Sequence, residues 1–224
     1  MSEGAPAVSS PSVPVPAAES QAAMLWRKAL TVAWMSILLG IGIELLLLVG
    51  AALTAKLPSS GAIVADVCQK ISWSFFVCVG LALGTAATKA KPAVMGVLGL
   101  VSAPLAFVGA KAVHKGALQA LGMVGPAGGS AMLIAGLKAV EYAALGVVLG
   151  WFSKRGSGLK TYLAVGLGAG LTFGVAIVTA LTQASPQPLT AAALVSRSIN
   201  EVLFPVGCSL VLYAAEVVAK RPAA

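Results

Sequence analysis

The sequence predicts an all-α fold, that of a polytopic helical membrane protein with about six transmembrane helices. Hydrophobic residues make up 58% of its 224 residues and charged residues only 10%, whereas about 25% of the residues in a soluble domain are charged. So few polar side chains cannot cover a surface that faces water. The apolar residues also form long unbroken runs, unlike the alternating segments of about ten residues that build an outer-membrane barrel.

The N-terminal segment differs in composition from the rest of the chain. Residues 1–22 are rich in Ala, Pro and Ser, which is typical of a disordered tail. They lack the basic start of a signal peptide, and the apolar run behind them is longer than a signal-peptide core. We therefore expect a disordered tail over 1–22 and a single transmembrane helical domain over 23–221.

Each apolar run is bounded by charged or helix-breaking residues. The predicted spans cover about 30–53, 61–87, 92–112, 129–152, 161–182 and 189–218. Pro104 and Pro205 lie inside the third and sixth spans and predict kinks there. Residues 111–124 are short and weakly amphipathic, so we expect an interfacial helix on the outer face, with a continuation of the third span as the alternative.

Basic residues lie at the ends of the apolar runs and give the spans a direction. With a cytoplasmic N-terminus, that side carries Arg27, Lys28, Lys89, Lys91, Lys154, Arg155, Lys160, Lys220 and Arg221, and the other side only Lys56, Lys111 and Lys115. This bias predicts that both termini are cytoplasmic, and with the short loops it favours a bacterial inner membrane. Because the positive charges form no continuous stripe, they do not predict nucleic-acid binding.

Nine polar residues lie inside the predicted spans, where each charge costs about 2.5 kcal/mol or more. They are Glu44, Asp66, Gln69, Lys70, Lys138, Glu141, Arg197, Asn200 and Glu201. With the predicted topology they converge in the middle and outer half of the membrane, in a region open to the non-cytoplasmic side. Three interpretations remain open: buried ion pairs that fix helix register, docking to a partner subunit, or an ion or substrate pathway that includes a proton relay.

An offset of 128 residues aligns the chain with itself, with 13 identities in the 51 positions from 38 to 88. The match passes through span, loop and span without a gap. It predicts a parallel two-helix repeat, in which 30–88 recurs as 158–216. Such a repeat differs from the inverted repeats of many ion-coupled transporters.

Small residues and thiols carry further expectations. Gly166, Gly170 and Gly174 are spaced by four, a pattern that predicts a close helix–helix contact within the chain or between protomers. The three cysteines fall inside apolar segments without a CxxC motif, so we expect free thiols and no metal site.

Taken together, the residues favour a small transporter or channel-like protein whose polar cluster is open to the non-cytoplasmic side. The alternative is a non-catalytic subunit or scaffold of a larger membrane complex. No nucleotide-binding, metalloprotease or nucleophile motif is present, so we expect neither an enzyme nor a cofactor. The expected partners are the lipid bilayer and either further copies of the chain or partner membrane subunits.

Overall fold

Six α-helices make up the part of the protein that the structure describes. The computed structural model describes residues 21–53, 57–87, 92–124, 131–185 and 188–219, and over these residues the chain forms no β-strand. The helices are α1 (Gln21–Leu53), α2 (Ser60–Ala87), α3 (Pro92–Ala120), α4 (Ala131–Lys154), α5 (Leu159–Ala184) and α6 (Ala191–Ala219). The all-α prediction with six long apolar helices is confirmed.

Some predicted features fall outside the described residues. The predicted tail does so up to residue 20, and α1 begins at Gln21. The same holds for five basic residues that enter the predicted orientation: Lys56, Lys89, Lys91, Lys220 and Arg221.

Every helix is long and apolar enough to cross a membrane. Only 22% to 44% of the residues in the most apolar window of each helix are buried inside the protein, so more than half of each window is at least partly exposed. Trp34, Leu38 and Leu45 on α1 are each more than half exposed. Contact of such apolar faces with lipid is favourable, whereas their contact with water is not. The fold is therefore that of a multi-pass membrane protein.

The helices form a ring in which each packs against the next in sequence and α6 returns to α1. In addition, α6 contacts α2 and α4 across the bundle. Neighbouring helices run in opposite directions. The start of α1 contacts the end of α2 through Lys28 and Thr85, Pro92 at the start of α3 lies beside Gly150 near the end of α4, and Tyr162 near the start of α5 contacts Glu216 near the end of α6. We call the end with Gln21 and Ala219 the base, and the end with Leu53 the mouth.

The third helix is longer than expected. An interfacial helix over 111–124 is wrong; α3 continues without a break to Ala120, as the alternative had it. The polar residues of this segment made it resemble a surface helix, but Lys111 lines the interior and His114 contacts Asp66 of α2 at 3.1 Å. The amphipathic pattern reflects contact with a neighbouring helix and not an interface with water.

Glycine ends α3 and α4 in the same way. Gly122 and Gly156 have φ of 68° and 64°, a conformation that costs glycine little. The amide of Met123 donates to the carbonyl of Leu118 at 2.8 Å, and that of Gly122 to the carbonyl of Gln119 at 3.0 Å. These bonds satisfy carbonyls that the last helical turn leaves without partners.

The predicted glycine stripe of α5 faces α6 of the same chain. Gly166, Gly170 and Gly174 are all buried. A Cβ on Gly170 would lie 2.7 Å from the carbonyl oxygen of Val202, and one on Gly166 would lie 2.8 Å from that of Pro205. The absence of side chains therefore lets the backbones of α5 and α6 approach closely.

Further close contacts were not predicted. A Cβ on Gly99 of α3 would overlap the backbone of Tyr142 on α4, and one on Gly146 would overlap the backbone of Met95. In the sequence, Gly146 and Gly150 are spaced by four residues, and this spacing could have predicted the close contact of α4 with α3.

The three cysteines are free thiols, in agreement with the sequence. Cys78 of α2 and Cys208 of α6 are fully buried, and their sulfur atoms lie 3.1 Å apart. Cys68 is partly exposed. The two thiols lie where α2 and α6 contact each other, closer to the base than the polar residues described below.

Aligned glycines of the predicted repeat have different surroundings. A Cβ on Gly40 would lie 2.7 Å from the backbone of Ile71, whereas one on Gly168, aligned with Gly40, would meet nothing within 4 Å. In the aligned pair Gly42 and Gly170 it is the first copy that is open. A Cβ on Gly42 would meet nothing within 4 Å, whereas one on Gly170 would lie 2.7 Å from the carbonyl oxygen of Val202. The packing therefore lends the repeat no support, and it stays a prediction.

Gly170→Ala is expected to destabilise the protein by about 1–3 kcal/mol, because the new methyl group overlaps the α6 backbone. Gly168→Ala adds the same methyl group two residues away in open space, where alanine favours the helix. Thermal unfolding in a mild detergent should show a lower midpoint for the first variant only. Equal midpoints would contradict the close α5–α6 contact.

Candidate functional site

A polar cavity of about 500 Å³ lies inside the bundle toward the mouth. It is surrounded mainly by α2, α3, α4 and α6. Its polar lining consists of Asp66, Gln69, Lys70, Lys111, Lys138, Ser196, Arg197, Asn200 and Glu201. Since charged groups are costly inside a membrane, each of these side chains needs a partner or a function.

One ammonium group lies between two carboxylates at the deep end of the cavity. Lys138 of α4 donates to Oε2 of Glu141, one turn further along the same helix, at 2.8 Å. It also contacts Oε2 of Glu201 on α6. All three side chains are buried, and we call them the triad. With both carboxyl groups ionised, the triad carries one excess negative charge.

The triad has unused hydrogen-bonding capacity. Oε1 of Glu141 is buried and has no hydrogen-bond partner within the described part of the chain. Pro205 has no N–H, so the carbonyl of Glu201, four residues earlier, loses its helical donor. Because buried acceptors without donors are unfavourable, the triad is a place where a proton or a cation can be held inside the membrane.

Two further pairs join α2 to its neighbours. Lys70 contacts the carboxylate of Glu44 on α1, and Glu44 is almost fully buried. Asp66, one turn closer to the mouth, contacts Nε2 of His114 on α3 at 3.1 Å. Breaking the Lys70–Glu44 pair would leave Glu44 as an uncompensated buried charge, so this pair holds α1 and α2 in register.

Aromatic rings form the deep wall of the cavity around Trp73. Its ring centroid lies 6.4 Å from that of Phe107, 5.7 Å from that of Tyr142 and 6.4 Å from that of Phe204, all in edge-on arrangements. Nζ of Lys138 lies 5.5 Å from the Trp73 centroid, a cation–π contact. The cavity therefore combines a charged lining with an apolar, aromatic face.

Other polar groups of the cavity lack a partner of opposite charge. Arg197 makes no ion pair with any residue that the structure describes, and Gln69 and Asn200 make no side-chain hydrogen bond there. Lys111 lies over the ring of Phe107, 4.5 Å from its centroid, but also faces no carboxylate in this part of the chain. These groups are available to a ligand.

Toward the base the bundle is packed with apolar side chains. Val77, Leu81, Met95, Leu145, Leu149 and Leu212 belong to one continuous core and are almost inaccessible. At the base itself, Glu216 of α6 accepts hydrogen bonds from Ser153 at 2.6 Å and from Tyr162 at 2.9 Å. The cavity is therefore closed on this side by packed helices.

Most of the predicted polar residues come together. Seven line the cavity: Asp66, Gln69, Lys70, Lys138, Arg197, Asn200 and Glu201. The other two, Glu44 and Glu141, lie behind the lining as partners of Lys70 and Lys138. Gly166, Gly170 and Gly174 lie apart from the cavity lining, between α5 and α6.

The aromatic wall and Lys111 were not predicted as part of the cavity. The sequence feature that could have predicted them is their spacing from polar residues. Trp73 follows Gln69 by four residues, Phe204 follows Asn200 by four, and Lys111 follows Phe107 by four. Side chains four apart share a helix face, so the aromatic residues extend the polar faces toward the base.

Comparisons with protein-family models, with characterised proteins and with solved structures find no match to this chain. No group of three or more His, Cys, Asp or Glu side chains is placed to hold a metal ion in the ranges that the structure covers. The arrangement is suited to binding a polar or charged solute and to holding a proton at the triad.

Lys138→Met is expected to destabilise the protein by about 3–5 kcal/mol, because two buried carboxylates lose their shared cation. Adding Glu141→Gln and Glu201→Gln removes both charges and should recover most of the loss. Lys154→Met is the matched control, since Lys154 is exposed at the end of the same helix. Thermal or denaturant unfolding in detergent measures the stability of Lys138→Met, of the triple variant and of Lys154→Met. A Lys138→Met variant as stable as the wild type would contradict the buried triad.

Proposed function

We propose that the chain is a small membrane transport protein whose polar cavity admits its solute from the non-cytoplasmic side. The observation that carries the proposal is that seven of the nine predicted intramembrane polar residues line an open cavity of about 500 Å³. Charges that served architecture alone would be expected to pack against each other without space between them. A cavity with a charged lining is typical of a substrate or ion pathway.

The triad supports a transport role because of its position. It lies at the deep end of the cavity, above the apolar core that closes the base. Uptake of one proton would neutralise its excess negative charge, and release would restore it. Such a change alters the interaction between Lys138 on α4 and Glu201 on α6, two helices that an opening movement toward the base would have to separate.

A non-catalytic subunit of a larger membrane complex is the rival proposal. It expects the intramembrane charges to meet charges of a partner. Within the described chain, Glu44, Asp66, Glu141 and Glu201 all contact basic residues of the same chain. This internal pairing leaves fewer charges that need a partner and favours transport.

Glu201→Gln is expected to abolish transport while the protein still inserts and purifies. Proteoliposomes on a solid-supported membrane would be given concentration jumps of acetate, benzoate, octanoate, phosphate and choline, and pH jumps. The wild type should give a current, above that of protein-free liposomes, in at least one of these jumps. The variant should not, because the triad loses one of its charges.

Glu216→Gln is the matched control for that experiment. It makes the same chemical change on the same helix, but at the base, where Glu216 accepts hydrogen bonds from Ser153 and Tyr162. It should retain the current. A wild type that is silent in every jump, or a Glu201→Gln variant with the wild-type current, would count against transport.

We further propose that the mouth faces away from the cytoplasm and that the membrane is a bacterial inner membrane, as the distribution of Lys and Arg indicates. Ser60 at the mouth and Gly158 at the base are both exposed. In a chain whose three cysteines are replaced by alanine, Ser60→Cys should react with a membrane-impermeant maleimide in intact cells. Gly158→Cys should react only after permeabilisation, and the opposite result would invert the topology.

A further inference from the structure

The acidic side chains of the cavity have basic partners, but some of its basic side chains have no acidic partner. This difference indicates the charge of the ligand. The acids Glu44, Asp66, Glu141 and Glu201 all contact bases, as described above. Among the cations that line the cavity, Arg197 and Lys111 have no carboxylate partner in the described ranges. Around Arg197 and Lys111 the unpaired charge is therefore positive, whereas the excess negative charge of the ionised triad lies at the deep end of the cavity. An anion is the ligand that would complement the two cations.

The groups around Arg197 are suited to the same ligand. Ser196 and Asn200 lie on the same helix, and Gln69 lies on α2; all three line the cavity. Each can donate hydrogen bonds to oxygen atoms. Guanidinium groups bind carboxylates and phosphates through paired hydrogen bonds, which makes Arg197 the anchor of this set.

A second, apolar space adjoins the cavity. A groove of about 460 Å³ runs between α1 and α6 near the mouth. It is lined by Leu46, Leu47, Gly50, Ala51, Ala191, Ala192, Val195, Ser196 and Ile199. Leu47 and Ser196 line both spaces, so the groove and the cavity adjoin at these two side chains, and Ser196 is the residue next to Arg197. We call it the α1–α6 groove.

We propose that the ligand is an anionic amphiphile, whose carboxylate or phosphate binds Arg197 in the cavity and whose hydrocarbon chain lies in the α1–α6 groove. The inference rests on the proposed transport function and names its substrate class. The adjacency of the two spaces at Leu47 and Ser196 carries it. A charged head needs the cavity, an apolar chain needs the groove, and an amphiphile in the membrane can reach both from the side.

The groove gives the chain of such a ligand a specific place. Leu46, Val195 and Ile199 are exposed at its surface. Small residues make up much of the remaining lining, and a Cβ on Gly50 would meet nothing within 4 Å. The groove is thus a gap in the bundle that a flexible hydrocarbon chain can fill.

Equilibrium binding of radiolabelled dodecanoate to the full chain in phosphatidylcholine nanodiscs tests the proposal. Binding should be saturable, with one molecule per chain, above the level of protein-free nanodiscs. Dodecyl phosphate should compete with it. Dodecanol, which has the chain without the charge, should not compete at the same concentration, nor should acetate or inorganic phosphate, which have the charge without the chain.

Two pairs of variants separate the head from the chain. Arg197→Gln should weaken dodecanoate binding by about tenfold to a hundredfold, the effect of losing a charge-assisted hydrogen bond. Arg155→Gln, at the base over the ring of Trp151, should leave binding unchanged. Gly50→Leu should fill the groove and weaken binding, whereas Gly42→Leu, equally open on the same helix, should not.

Several results would overturn the proposal. Equal competition by dodecanol would remove the role of the charge. Equal competition by acetate or phosphate, with no effect of Gly50→Leu, would mean a free anion as ligand. A disulfide-linked dimer formed by Val195→Cys, in a chain whose own cysteines are replaced by alanine, would show that a second copy occupies the groove.

The two proposals can fail independently. Because binding is measured at equilibrium, it does not depend on transport. If Glu201→Gln abolishes the wild-type current but no amphiphile binds, transport stands and this substrate class is wrong. If dodecanoate binds through Arg197 but the wild type gives no current in any jump, the site exists and transport is wrong.

Discussion

The contact of one buried ammonium with two carboxylates is the constraint on which the rest of the bundle depends. Lys138 on α4 faces Glu141 of its own helix and Glu201 of α6. Sliding α6 by one helical turn would leave a carboxylate without its cation inside the membrane. Trp73 of α2 covers the same ammonium. A single charged group thus fixes the relative depth of three helices.

Two kinds of packing divide the bundle along its length. Toward the base, glycine lets helices approach closely: a Cβ on Gly84 would lie 3.1 Å from the backbone of Met95, and one on Gly150 would lie 3.0 Å from that of Pro92. Toward the mouth, long charged and aromatic side chains occupy the space between the same helices. Helices separated by such side chains cannot approach each other as closely as helices that meet at glycine residues. The bundle is therefore closed at the base and hollow near the mouth.

Hydropathy was sufficient to predict the six helices, because a bilayer sets both their length and their composition. The cost of intramembrane charge was sufficient to select the polar residues. Their pairing was not predictable, apart from Lys138 and Glu141 on one helix face, because it depends on which helices are neighbours. The end of α3 was misjudged for the same reason, since the polar face with Lys111 and His114 resembles a surface helix until α2 lies beside it.

The uneven pairing of charge links the two ends of the cavity. Arg197 and Lys111 give its lining unpaired positive charge, while the triad at the deep end carries excess negative charge when both carboxyl groups are ionised. If an anion binds Arg197, it cancels part of the positive potential, and a proton then binds the triad more favourably. Linkage makes the effect reciprocal, so a proton at the triad favours the anion. A cavity built in this way would bind an anion and a proton cooperatively, and the coupling between the two binding events needs no movement of the backbone.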